Sequence, residues 1–296
     1  MSKVWFITGS SRGLGLALAQ AVLASGDRLV ATARNPEHLA DLARTYGERV
    51  RVVALDVTDA AAARASIATA VSAFGRLDVV VNNAGYGNVS SIEHMTDADF
   101  RAQMETNFFG VVNVTRAAIP VLREQRDGHI IQISSIGGRH GSPGLSAYQS
   151  AKWALEGFSE VLAREVGPLG VRVTIAEPGG IRTDWAGSSM HVDEIRDDYK
   201  ATVGAFMDGV RKNREATRGD PAKMAQVLLR IAALPDPPLR ILLGGDAVYL
   251  AELVAKERAA LDAKWRSLSV TTDFDGLVDF AETPIAKMLT RMSQGG

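Results

Sequence analysis

Val4-Trp5-Phe6-Ile7-Thr8-Gly9-Ser10-Ser11-Arg12-Gly13-Leu14-Gly15 decides how the chain folds. Four consecutive apolar residues are enough for a strand buried on both faces. A glycine-rich turn follows, and a helical pattern then runs from Leu14 to Ser25 and stops at Gly26. Strand, glycine turn and helix in that order bring backbone N–H groups and a helix N-terminus against a phosphate. Glycine lets the backbone come close to the ligand. Such turns also occur with no ligand, so the stretch has to be weighed with the rest of the chain.

Further along, the same alternation repeats. Arg28 to Ala33 reads as a second strand, and Asn35-Pro36-Glu37 as a helix start, with Asn as cap and Pro at the first helical position. Val50 to Leu55 is a third strand, ending in Asp56-Val57. Thr58 or Asp59 caps an Ala-rich helix to about Phe74. Leu77 to Val81 is a fourth strand, ending in Asn82-Asn83-Ala84-Gly85. Asp97 to about Arg126 is expected to be helical, with a break or kink at Pro120. Ile130, Ile131, Ile133 and Ile136 mark a fifth strand. Tyr148 to Val166 is a helix, and Arg172 to Ala176 a sixth strand that leads into Pro178-Gly179-Gly180. Strands alternating with helices predict a parallel sheet covered on both faces. Most of the distinctive residues fall at the C-terminal ends of strands, where such sheets bind ligands.

From Ile181 to Gly219 the pattern weakens, with Trp185, Met190, Phe206 and Met207 set among charges. This reads as an insertion over the site. Its apolar residues point either to an apolar substrate or to a small core of the insertion itself. A helix starts at Asp220-Pro221, Ile241 to Leu243 is a last strand, and Ala247 to about Trp265 a charged amphipathic helix. Residues 267–296 give no clear pattern. No linker separates the parts, so the expectation is one domain over 1–296, with an insertion at about 181–219 and an extension from about 246.

Ser135, Tyr148 and Lys152 carry the candidate chemistry. The strand delivers Ser135 to its end, and at spacing i, i+4 Tyr148 and Lys152 share a helix face. A free phenol has a pKa of about 10 and is a poor acid near neutrality. A neighbouring ammonium favours the phenolate and lowers that value. The phenol can then exchange a proton with a carbonyl or alcohol oxygen, which a Ser hydroxyl would hold.

Composition narrows the choices. The chain has 296 residues, 46% hydrophobic and 23% charged, with a net charge of −1. That balance offers no case for nucleic acid or an anionic membrane as partner. Cysteine is absent, and His38, His94, His129, His140 and His191 are scattered. Neither a thiolate nor a clustered-His metal site is expected. No uncharged apolar run reaches the ~18 residues of a spanning helix, and no secretory pattern opens the sequence. The expectation is a soluble, cytoplasmic protein.

Taken together, Thr8-Gly9-x-x-x-Gly13-x-Gly15, Asn82-Asn83-Ala84-Gly85, Asn107, Ser135, Tyr148-x-x-x-Lys152 and Pro178-Gly179 with Thr183 resemble the short-chain dehydrogenase/reductase family, over roughly Lys3 to Gly245. The resemblance implies an α/β fold: a Rossmann-type doubly wound parallel sheet of about seven strands, with helices on both faces. It implies a nicotinamide-dependent oxidoreductase that interconverts a ketone or aldehyde and an alcohol, with Tyr148 as general acid/base. Ser135 would hold the carbonyl oxygen, Lys152 would bind the ribose and tune Tyr148, and Asn107 would hold a water that relays protons. For the cofactor, the resemblance assigns Gly9, Ser11, Arg12, Gly13, Leu14 and Gly15 to the phosphate loop. Asp56 and Val57 fall by the adenine, and Asn83, Ala84 and Gly85 by the adenosine ribose. Pro178, Gly179, Ile181 and Thr183 fall by the nicotinamide. Family members often associate, so a homodimer is expected, with a monomer as the alternative.

Two other readings compete. Nucleotide-sugar epimerases and dehydratases of the wider superfamily show a Gly-x-x-Gly-x-x-Gly pattern, whereas the spacing here is three then one. A non-catalytic dinucleotide sensor needs the glycine turn but not Ser135, Tyr148 and Lys152. As to the cofactor, an acid at the end of the second strand binds the ribose 2′-hydroxyl in NAD sites. Ala33 stands there in this sequence, followed by Arg34. Arg12 and Arg34 offer planar forks suited to a 2′-phosphate, so NADP(H) is expected over NAD(H).

Overall fold

β1 (Val4–Ile7) is buried along its whole length, and its side chains divide between two cores. Trp5 and Ile7 join one cluster, while Val4 and Phe6 join another. That is the two-residue period of a strand covered on both faces. The computed structural model describes residues 2–182 and 190–294. Thr183 and Trp185 therefore lie outside the described residues.

Seven strands build the main sheet: β1, β2 (Arg28–Ala33), β3 (Val50–Ala54), β4 (Val79–Asn82), β6 (Gly128–Ile133), β7 (Val171–Pro178) and β9 (Arg240–Leu243). Their spatial order is β3-β2-β1-β4-β6-β7-β9, and every pairing is parallel. From β1 the chain goes to one side for β2 and β3, then returns to the other side for β4. The gap between the C-terminal ends of β1 and β4 is the switch point, where a ligand crevice opens. α1 (Gly13–Ala24), α2 (Ala40–Tyr46) and α8 (Pro221–Ala232) cover one face; α3 (Ala60–Phe74), α5 (Gly110–Gln125) and α6 (Ser146–Val166) cover the other. Of the two caps expected for α3, Asp59 is the one used, and the helix expected to start at Asp220-Pro221 is capped by Asp220. Asp59 accepts from the N–H groups of Ala61 and Ala62, and Asp220 from those of Ala222 and Lys223. Asn35 accepts from Glu37 N, but the turn that it caps is a short 3-10 helix, Pro36–Leu39, ahead of α2.

The expected helix from Asp97 to about Arg126 is interrupted, though not at Pro120. α4 (Asp97–Met104) passes through a π turn, Glu105–Phe109, into α5, and Pro120 lies inside α5. The bulge puts Asn107 where both ends of its amide meet the backbone of Tyr86.

The insertion packs into a small core that it shares with residues outside it, Val89 and Leu145. β8 (Met190–Val192) pairs parallel with β5 (Gly87–Val89), and α7 (Ala205–Lys212) follows. Val89, Leu145, Val203 and Met207 are buried together, with Met190 and Phe206 packed against them. Met190, Phe206 and Met207 are thus used in packing the segment onto the domain and give no separate sign of an apolar substrate. Three-residue strands are too short to show a period, which is why β5 and β8 escape sequence reading. At its base the segment is pinned, with Gly219 N donating to Gly180 O at 3.0 Å and Arg182 N to Gly219 O at 2.8 Å.

Contacts divide the chain at Leu250, where the sequence reads one domain with an extension from about 246. The part after Leu250 holds most of α9 (Gly245–Ser269), 3-10 turns at Val270–Thr272 and Phe280–Glu282, and α10 (Pro284–Gln294). No helix among the described residues is long and apolar enough to cross a membrane.

Candidate active site

The crevice is tied together by one threonine and one asparagine. Thr8, just past β1, accepts at Oγ1 from Asn83 N (2.9 Å) and Ala84 N (3.0 Å). Asn83 Nδ2 returns hydrogen bonds to Thr8 O (2.9 Å) and Gly9 O (3.1 Å). Gly9 and Gly13 both have positive φ, 67° and 56°, which side chains rarely adopt. A Cβ on Gly15 would lie 2.2 Å from Gly9 O. The loop is therefore a bare backbone cradle at the start of α1, with Arg12 as the residue before the helix.

A cleft of about 610 Å³ opens over this cradle. Lining it are Gly9, Ser11, Arg12, Gly13, Leu14, Arg34, Asp56, Val57, Asn83, Ala84, Gly85, Ser135, Tyr148, Lys152, Pro178, Gly179 and Ile181. The structure thus brings nearly all the predicted residues to one cavity. Gly15 and Asn107 stand behind its wall, and Thr183 lies outside the described residues. Sequence reading missed Asn35, His38, Leu55, Tyr86, Thr106, Ile133, Ser134 and Gly180, which also line it. Tyr86, Ser134 and Gly180 are direct neighbours of the quoted motifs and were within reach of that reading. His38 and Thr106 carry no signal of their own.

Ser135 follows β6 with an extended backbone, and its Oγ accepts from Gly137 N at 3.0 Å. That leaves its O–H to donate, and it is hydrogen-bonded to the Tyr148 phenol. α6 begins at Ser146, so Tyr148 and Lys152 sit one turn apart in its first two turns, and both are buried. Lys152 Nζ donates to Ile133 O at 2.8 Å and lies 5.7 Å from the centre of the Tyr148 ring.

Burial dominates the electrostatics of this pair. It pushes the Tyr148 phenol up to about 12, against the pull of the Ser135 hydrogen bond. It pushes Lys152 down to about 8, against the opposing charge of Glu156. The expectation that the ammonium lowers the phenol's pKa does not hold for the protein's own residues. The ammonium is spent on Ile133 O, and taking the phenolate out of water outweighs its attraction. Tyr148 thus carries its proton throughout the neutral range.

Asn107 is fully buried. Its Oδ1 accepts from Tyr86 N (3.0 Å) and its Nδ2 donates to Tyr86 O (2.9 Å), so the side chain is used on backbone. Gly85 fills the narrow space beside it, where a Cβ would lie 2.5 Å from Asn107 Oδ1 and 3.8 Å from Lys152 Nζ. Asp56 closes a turn on itself, accepting at Oδ1 from Thr58 N and Thr58 Oγ1 (3.0 and 2.8 Å). Arg12 and Arg34, which also line the cleft, are exposed, and no ion pair among the described residues engages either. A bare backbone cradle and a cleft that also holds the Ser–Tyr–Lys cluster fit a dinucleotide.

The comparisons agree with this geometry. The family model described as short chain dehydrogenase matches residues 3–193. The chain is 53% identical to Oxidoreductase BOA17 of Botryotinia fuckeliana over 273 residues, 92% of this chain and 100% of that protein. A short-chain dehydrogenase of known structure from Streptomyces avermitilis superposes with a TM-score of 0.87 at 38% identity, covering 93% of this chain and 100% of its own. An alcohol dehydrogenase from the archaeon Thermococcus sibiricus, complexed with 5-hydroxy-NADP, superposes with a TM-score of 0.69 at 26% identity, covering 82% and 96%.

Proposed function

We propose that this chain, which belongs to the short-chain dehydrogenase/reductase family, is an NADP(H)-preferring oxidoreductase that interconverts a ketone or aldehyde and an alcohol. One observation carries the reading: the Tyr148 and Ser135 hydroxyls meet inside the cleft, with Lys152 buried beside them. A bound nicotinamide dinucleotide supplies the hydride. The protein's own residues do the rest. The phosphate cradle is Gly9 to Gly15, and Arg12 and Arg34 would take a 2′-phosphate. Asn83, Ala84 and Gly85 would line the ribose, and Pro178, Gly179 and Ile181 the nicotinamide.

Ser135 accepts from Gly137 N, so its one O–H, which otherwise meets the Tyr148 phenol, would turn to a carbonyl oxygen set between the two hydroxyls. Tyr148, kept protonated by burial, gives that oxygen its proton in the reducing direction and takes one back in the oxidising direction. Lys152 is anchored on Ile133 O in the same wall of the cleft, where its charge offsets the phenolate left behind. The Thermococcus sibiricus enzyme, an alcohol dehydrogenase with an NADP derivative bound, supports both the chemistry and the cofactor. Ala33 supports the same cofactor, because no carboxylate at that position repels a 2′-phosphate.

Association as a homodimer belongs to the same proposal, supported by the exposed Phe109, Trp153 and Val161 on the π turn and α6. Light scattering that finds only monomers would remove that part.

The test is kcat/KM with NADPH and with NADH on one good ketone, for wild type and Arg34→Ala. Charge-assisted hydrogen bonds contribute about 1.5–3 kcal/mol each. The expected NADPH preference is therefore about tenfold or more, and it should fall by a similar factor in Arg34→Ala. A wild type that prefers NADH, or a preference unchanged by Arg34→Ala, would show the cofactor assignment to be wrong. No turnover of any carbonyl or alcohol with either cofactor would remove the reading as a whole.

A further inference from the structure

Behind the catalytic wall lies a buried ionic cluster that the chemistry above leaves unused. Glu156 sits one turn beyond Lys152 on the inner face of α6, with 5% of its side chain exposed. Its Oε1 accepts from Ser134 Oγ at 2.7 Å, and its Oε2 from Arg240 Nη1 at 2.6 Å. Arg240 opens β9 and also donates to Glu177 Oε1 (2.7 Å) and Glu160 Oε1 (2.8 Å). Glu177 is fully buried directly before Pro178, and Arg139, from the turn after Ser135, pairs with it.

The fit is close. Gly138 rests on the carboxylate, and a Cβ there would lie 1.9 Å from Glu156 Oε1. The cluster therefore grips both sides of the Ser135 turn, with Ser134 before it and Gly138 and Arg139 after it. It also ties that turn to the end of β7, where the Pro178 loop begins.

Buried ion pairs are a poor route to stability, because desolvation offsets their attraction. What this one holds in place is the more telling fact. We propose that Glu156 is a positioning residue for the carbonyl–alcohol chemistry: it fixes the Ser134–Gly138 turn, and so the Ser135 hydroxyl, against α6, and it presents a negative charge to Lys152. The inference rests on the reading of the site given above.

Among the described residues, the groups placed against Lys152 are Tyr148 and Glu156 from its own helix and the Ile133 carbonyl from the end of β6. Of these only Tyr148 and Glu156 titrate. Glu156 opposes the effect of burial on Lys152, so removing its charge should let the lysine lose its proton at lower pH.

Three variants separate the roles. Glu156→Gln removes the charge and keeps the shape. Ser134→Ala keeps the charge and cuts the link to the turn. Glu160→Gln touches the same Arg240 from a half-exposed position and does not reach the turn. The readouts are kcat, both KM values and the pH profile of kcat/KM, on the full chain with NADPH and one good ketone. In Glu156→Gln the alkaline limb should move down by at least about half a pH unit. In Ser134→Ala kcat should fall about tenfold or more, with the limb in place and the NADPH KM within about twofold. Glu160→Gln should match wild type in both.

An unmoved limb in Glu156→Gln, or a Ser134→Ala variant within about twofold of wild-type kcat, overturns the proposal. If Glu156→Gln does not fold, Glu156→Asp replaces it. The shorter acid keeps the charge but not the reach, so the limb should stay while kcat falls, and an unchanged kcat overturns the proposal. Wild-type turnover that Tyr148→Phe abolishes, alongside unaffected Glu156 and Ser134 variants, defeats this inference alone. A wild type without turnover defeats the reading that it rests on.

Discussion

Gly15 and Asn83 occupy each other's space: a Cβ on Gly15 would lie 2.4 Å from the Asn83 Nδ2 that ties β4 to Thr8 and Gly9. The same Cβ would lie 2.2 Å from Gly9 O. Backbone cannot yield there without opening the loop. Gly15→Ala should therefore destabilise the protein by about 1–3 kcal/mol, the usual cost of overpacking, and weaken cofactor binding with it. A denaturation midpoint equal to wild type would contradict the close approach.

Tyr148→Phe keeps the ring and deletes the proton. General acid–base catalysis contributes about 10²–10⁴-fold, and kcat should drop by at least that lower figure, with cofactor binding nearly intact. A variant with half the wild-type kcat would sink the mechanism. Lys152→Met should hurt both turnover and cofactor affinity, because the lysine is assigned both a ribose contact and the charge beside Tyr148. Loss of turnover alone would remove the ribose contact.

The pH profile follows from the two buried groups. Lys152 is held at about 8 and Tyr148 at about 12, so at neutral pH the phenol is protonated and the lysine mostly charged. As pH rises through about 8 the ammonium is lost while the phenol keeps its proton. kcat/KM for reduction should therefore fall on the alkaline side, with a limb near 8 rather than near the ordinary value of a lysine. A flat profile up to pH 10 would show that Lys152 is not held down by burial.

His129 should make the fold acid-sensitive. It is buried, with Nε2 against Thr174 Oγ1 at 2.9 Å and no hydrogen-bond partner at Nδ1 among the described residues. Burial first, and then the positive charges of Arg172 and Lys3, hold it down at about 3 against an ordinary 6.5. Below pH 6.5 the unfolded chain takes up a proton that the folded chain refuses. Stability should then fall by up to about 1.4 kcal/mol per pH unit between 6.5 and 3. His129→Leu should flatten that part of the stability curve. Parallel curves for the two proteins would mean that His129 titrates normally in the fold.

The doubly wound sheet was legible because its strands announce themselves. Val4 to Ile7 and Val79 to Val81 are unbroken apolar runs, as strands buried on both faces must be, and the glycines of the first turn mark where the backbone has to come close. The candidate site was legible for a related reason. Parallel strands deliver their C-terminal ends to one edge, so motifs that follow strands must meet there. Local chemistry in the chain therefore determined the layers, the glycine cradle and the Ser135, Tyr148 and Lys152 cluster.

Only the tertiary structure decided how those groups behave. The spacing of Tyr148 and Lys152 suggested an ammonium that lowers a phenol's pKa, yet depth of burial reverses the direction, and no local pattern encodes depth. The bulge at Asn107 is set by the Tyr86 backbone across the crevice, not by Pro120 within the helix. Glu156 and Arg240 are 84 residues apart and join at 2.6 Å. Each alone reads as a solvated surface charge, because a long-range ion pair exists only once β9 and α6 have been packed side by side.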